Sequence, residues 1–147
     1  MTKVDELVGL MDAFLQATPD VESAAVVTHD GFPVVCALPD RLEERRLAAM
    51  SASIAALGER ALGELRKGRP ASIFAEGELG HAAVVPAGRT ALLVVTTFET
   101  ARIGLVLYEM KKAAAQVASV VDVDEVSVVR PAPAELLDLT EERSQRG

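Results

Sequence analysis

Tryptophan is absent from this chain, and aromatic side chains number only five: Phe14, Phe32, Phe74, Phe98 and Tyr108. Proteins that hold single-stranded nucleic acid stack bases on aromatic platforms set among basic residues. Five aromatics in a chain of formal charge −7 do not supply such platforms. The same acidity argues against a surface built to neutralise phosphates. Cys36 is the single cysteine, so no internal disulfide can form and nothing calls for an oxidising compartment. Long apolar runs are missing as well, since none approaches the ~18 residues needed to cross a bilayer. Met1–Glu6 carries two acids where a secretory signal would be basic and then apolar. A cytoplasmic location without membrane insertion is therefore expected.

What is present is an aliphatic chain of 147 residues, half of them hydrophobic, long enough to bury one core without staples. Its charge is uneven. Residues 1–121 hold 12 basic and 15 acidic side chains, whereas 122–147 hold three basic and seven acidic ones. This contrast predicts a folded body over 1–121 and an acidic C-terminal extension over 122–147, partly ordered or flexible.

Hydrophobic spacing orders the body. Val4, Leu7, Val8, Met11, Phe14 and Leu15 predict a helix over 3–17, capped by Thr2 and stopped by Pro19. Residues 22–29 and 32–38 read as strands joined at Asp30-Gly31, a strong hairpin signal. Their consecutive apolar positions imply a sheet covered on both faces. A long helix is predicted over 41–66, with Asp40 as N-cap, Glu43 completing a capping-box pattern, and Gly68 and Pro70 ending it. Three strands follow at 71–76, 80–86 and 90–97. A final helix is predicted over 100–121, with Ile103, Val106, Leu107, Met110, Ala114, Val117 and Val121 on one face. The extension adds a candidate strand at 126–130 and a helical turn around 134–143. The order of the body is α-β-β-α-β-β-β-α, an α+β arrangement.

Catalytic and metal-binding patterns are not found. His29 and His81 stand alone near turns, without His-x-x-x-His or Cys-x-x-Cys spacing, so no metal is expected. Cys36 lies in an apolar strand that opposes thiolate formation, and reads as a small hydrophobe rather than as a nucleophile served by His29. Gly63–Pro70 resembles a phosphate-binding loop only superficially, because it lacks the Lys-Ser/Thr pair and ends a helix instead of opening one. No cofactor and no catalytic residue are expected.

The long helix is unusual. Leu47, Met50, Ile54, Leu57, Ala61 and Leu65 form one stripe, suited to docking on the sheet. Ala48, Ser51, Ala52, Ala55, Ala56 and Leu62 fill an adjoining face of small residues. A helix apolar on two faces is usually buried on two sides. The small face is therefore expected to pack on a second copy, as an isologous dimer. The competing explanation is that alanine simply favours helix.

Three stretches then resemble a known family. Ala24-Ala-Val-Val-Thr-His-Asp-Gly-Phe-Pro-Val-Val is similar to the opening hairpin of roadblock-type domains, the dynein light chain and MglB-like group. Gly80-His-Ala-Ala-Val-Val-Pro-Ala-Gly-Arg-Thr-Ala-Leu-Leu-Val-Val-Thr-Thr resembles that family's central hairpin. Ile103-Gly-Leu-Val-Leu-Tyr-Glu resembles its third helix, and the likeness spans about residues 5–121.

The resemblance implies a five-stranded antiparallel sheet, with the first and third helices on one face and the second on the other. It also implies dimerisation through the second helix and third strand, which adds Ser72, Ile73 and Phe74 to the expected interface. Such domains carry no catalytic residues of their own. They bind and regulate Ras-like small GTPases, of the MglA type in prokaryotes, or serve as subunits of motor and signalling assemblies. The partners so implied are a second copy or a related roadblock chain, and a GTPase. Arg45, Arg46, Arg60 and Arg66, on the polar side of the long helix, are the candidate contacts for it. The alternative class is a small-molecule sensor with a pocket between sheet and helix.

Overall fold

A computed structural model describes residues 2–39 and 42–129, with side chains through residue 122. Three helices and five strands follow in the expected order: α1 (Lys3–Ala17), β1 (Val21–Thr28), β2 (Pro33–Ala37), α2 (Glu44–Glu64), β3 (Ile73–Glu76), β4 (Gly80–Ala87), β5 (Ala91–Phe98) and α3 (Ile103–Val129).

Local chemistry accounts for the boundaries. Thr2 and Asp5 form a reciprocal capping box at α1, in which the Thr2 hydroxyl accepts from Asp5 N at 3.1 Å. This satisfies a backbone donor that has no partner within the helix. In the β1–β2 hairpin Gly31 takes φ +96°, and a Cβ there would meet Ala52 Cβ at 3.6 Å. The positive φ of the turn is what calls for glycine here, and α2 passes at ordinary contact distance. Helix α2 starts later than its pattern suggests. Glu43 is the cap, accepting from Arg46 N at 2.7 Å, while Asp40 lies outside the described residues.

The strands form one antiparallel sheet in the order β2-β1-β5-β4-β3. Side chains alternate between its faces. Val26, Ala83, Val85, Leu93 and Val95 meet Leu7, Met11 and Phe14 of α1 and Val106, Met110 and Val117 of α3 in the larger core. Ala25, Val27, Val84, Leu92 and Val94 meet Ala48 and the partly buried Leu47 and Ala55 of α2 on the other face. Double coverage holds for β1, buried at nearly every position, but β2 is an edge strand and only partly buried.

Helix α3 differs from expectation at its end. Residues 122–129 continue it, so the strand expected at 126–130 does not form over 126–129. Val121, Val123, Val126, Val128 and Val129 suggest a strand by propensity, yet no Gly or Pro interrupts the helix before Pro131. Arg130 and the turn expected at 134–143 lie outside the described residues.

Candidate interaction surface

The two faces of α2 are used in the reverse of the expected sense. The small face docks on the chain's own sheet, with Ala48 0% and Ser51 3% exposed. Ala52, Ala55 and Leu62 are half-buried on the same side. Ala48 and Ser51 are thereby removed from any surface a second copy could reach. Of the larger stripe, Leu47 packs half-buried against the α2-side core, but the rest points to solvent: Met50 is 50%, Leu57 68% and Leu65 66% exposed, Ile54 and Ala61 are exposed between them, and Ala56 of the small face is exposed as well. Small side chains let the helix backbone settle close to the sheet, and the larger residues then face outward.

Beside α2 runs β3, at the open end of the sheet, its outer backbone edge unpaired by any described strand. It is shorter than the 71–76 expected. Ser72 precedes it, Ile73 is half-buried against the α2-side core, and Phe74 points to the opposite face, exposed and 5.4 Å from the His81 ring. An open edge strand invites pairing with another chain. Exposed apolar stripe and open edge are therefore neighbours.

The four arginines are not gathered into one cluster. Arg46 lies one helical turn before Met50 and Arg60 one turn after Leu57, so both border the apolar stripe. Arg45 is roughly 100° further round the helix from Arg46, away from the stripe. Arg66 stands beyond the helix, at φ +59°, where Arg66 N donates to Gly63 O and Lys67 N to Leu62 O. This is the Schellman ending, with arginine where glycine usually sits.

Catalytic geometry does not assemble around the remaining candidates. Cys36 packs in the α2-side core, and burial, aided by the charge of Glu44, pushes its thiol up to about 11. That is opposite to what a nucleophile needs. His29 is exposed at the end of β1, its backbone N–H bonded to Thr90 O at 3.0 Å. Among the described residues no group of three or more His, Cys, Asp or Glu could hold a metal, and no helix is long and apolar enough to cross a membrane.

One antiparallel sheet, with α1 and α3 on one face and α2 along the other beside an open β3, defines a roadblock-type domain. The chain belongs to the Roadblock/LC7 domain family, whose model matches residues 7–97. It is similar to an MglB in a tetrameric arrangement, with 26% identity over 82% of this chain and 90% of that one, at a TM-score of 0.73. The gliding protein MglB of Thermus thermophilus is 25% identical over 82% and 91% of the two chains, at 0.75. Profilin II of Acanthamoeba castellanii, 16% identical over 74% and 94% at a TM-score of 0.57, shares the fold alone. No curated protein matches in sequence.

Proposed function

We propose that this chain is a non-catalytic, dimeric scaffold that binds and regulates a Ras-like small GTPase of the MglA type in the cytoplasm of a prokaryote. The observation that supports it best is the Met50–Ile54–Leu57–Leu65 stripe lying beside the open β3 edge. Fully burying one such side chain is worth about 1.5–3 kcal/mol, so a stripe of four favours association. Packing α2 against its symmetry mate would cover both stripes and bring two β3 edges together in an isologous contact. That arrangement replaces the small-residue interface expected from the helix pattern.

Arg46 and Arg60 would then sit at the margin of the paired helices, on a surface shared by both subunits. Regulation would work by binding one conformation of the GTPase switch loops better than the other. No arginine finger is required for this.

Light scattering coupled to size-exclusion chromatography tests the first half. Wild type should elute as a dimer, and Leu57→Arg as a folded monomer, since Leu57 is exposed within a subunit. Co-purification with the small GTPases of the same cell, loaded with GDP or a GTP analogue, tests the second half. A monomeric wild type, or no nucleotide-dependent capture, would count against the reading.

A further inference from the structure

We propose that the groove between the outer flank of α3 and the β3 side of the sheet is the docking site of the chain's own acidic C-terminal segment, which places Leu136, Leu137 and Leu139 on its floor. This goes beyond the scaffold reading and does not rest on it.

On this face of the sheet α1 packs over β1 and β2, and α3 over β4 and β5. Strand β3 lies beyond α3, and Phe74, which shares the face with its partner Ala83, is left exposed. Alongside runs a groove of about 350 Å³. Val85 of β4 and Ala114 of α3, each 3% exposed, form its floor. Ala115 and Ala118 of α3 wall one side and Ala71, ahead of β3, the other. Small side chains along α3 leave room for branched ones from elsewhere. Lys111 is the only charged residue that lines the groove, and the connection leading to Ala71 carries Arg66, Lys67 and Arg69.

Reach favours a segment of the same chain. Helix α3 both walls the groove and runs on to Val129. Ala118 lies about 17 Å back along the axis, at ~1.5 Å per residue. The stretch from Val129 to Leu136 spans up to about 23 Å, enough to return to that level. Pro131 and Pro133 oppose continuation of the helix, which permits the reversal. A tethered segment also acts at an effective concentration in the mM range, which a separate partner must match.

Charge favours the same occupant. Residues 134–142 carry Glu135, Asp138, Glu141 and Glu142 and no basic residue, with three leucines among them. Such a segment brings apolar side chains to Val85 and Ala114 and carboxylates to Lys111 and the basic connection. At the opposite end Asp122 accepts from the Arg89 backbone N–H at 3.4 Å, and its charge directs the segment's acids toward Lys111.

NMR of the full-length chain tests the docking. With Cys36→Ala to leave a single thiol, a nitroxide attached at Ser144→Cys should broaden the amide signals of Ala71, Lys111 and Ala115 and spare Met50 and Leu57. Leu136→Glu/Leu139→Glu, changed only within the segment, should lose that broadening, and Lys111→Glu, at an exposed position, should lose most of it. When the nitroxide is carried only by chains without isotope enrichment, mixed with enriched chains that lack it, the broadening should vanish. The proposal is overturned if the three amides are untouched, if the broadening centres on Met50 and Leu57, or if the double variant retains it. Broadening that persists in the mixture would place the segment on a second copy and overturn it equally.

Discussion

Gly58 of α2 and Ile73 of β3 lie so close that a Cβ on the glycine would come within 2.7 Å of the isoleucine Cδ1. The contact marks a close approach of helix and edge strand, on the side of α2 where the small Ala48 and Ser51 are buried. The outer stripe, and with it the proposed dimer contact, follows from that seating.

Substitutions at Gly58 read this contact directly. Gly58→Ala gains about 1 kcal/mol of helix propensity, but Ile73 must swing aside at a cost of about 0.5–1.5 kcal/mol. Urea unfolding should find it within about 1 kcal/mol of wild type. Gly58→Val overpacks the same point and should lose about 1–3 kcal/mol. A neutral valine variant would mean that the two elements can part freely.

Arg66 holds a left-handed conformation that L side chains avoid. Arg66→Gly should therefore raise stability by about 1 kcal/mol, measured as an increased urea midpoint. A decrease would show that the arginine side chain makes a contact outweighing its backbone strain.

The Asp20 carboxylate accepts from Arg102 Nε and from the Arg102 backbone N–H, both at 2.9 Å, tying the start of β1 to the start of α3. The side-chain hydrogen bond first, then the backbone one, holds this carboxyl below its ordinary value. A lowered folded-state pKa contributes stability above the unfolded value and loses it as pH falls through the folded one. The stability gap between wild type and Asp20→Asn should thus be constant near neutrality and shrink below about pH 4. Urea titrations down to acid pH measure it, and a gap that persists unchanged there would rule out charge as its source.

Cys36 offers a chemical test of the α2-side core. With the thiol pushed up to about 11, iodoacetamide at pH 8 should label it about two orders of magnitude more slowly than an ordinary exposed cysteine. Urea should abolish the difference. Fast labelling of the native protein would contradict the packing of β2 under α2.

Much of the fold was legible locally. Thr2 and Asp5 mark the start of α1, Asp30-Gly31 marks a hairpin, and the Val106–Met110–Val117 spacing marks the buried face of α3. Each is a signal between residues near in sequence. The end of α3 was not legible, because its valines favour strand by propensity while nothing there breaks a helix. The candidate surface was equally hidden: Gly58 and Ile73 belong to different elements, and only the docking of α2 on the sheet brings the exposed stripe beside the open edge strand.

Caps, turns and hydrophobic period act over a few residues, so the three helices and five strands of the body, their order and the family resemblance can be read from the chain alone. The sequence also determined that α2 has two adjoining apolar faces. Which face meets the sheet was decided only by the tertiary structure. Burial energy alone favours the larger side chains inside, but α2 lies so near β3 that Gly58 has no free room for a Cβ beside Ile73. At that approach Ala48 and Ser51 meet the sheet, and Met50, Ile54, Leu57 and Leu65 are left exposed.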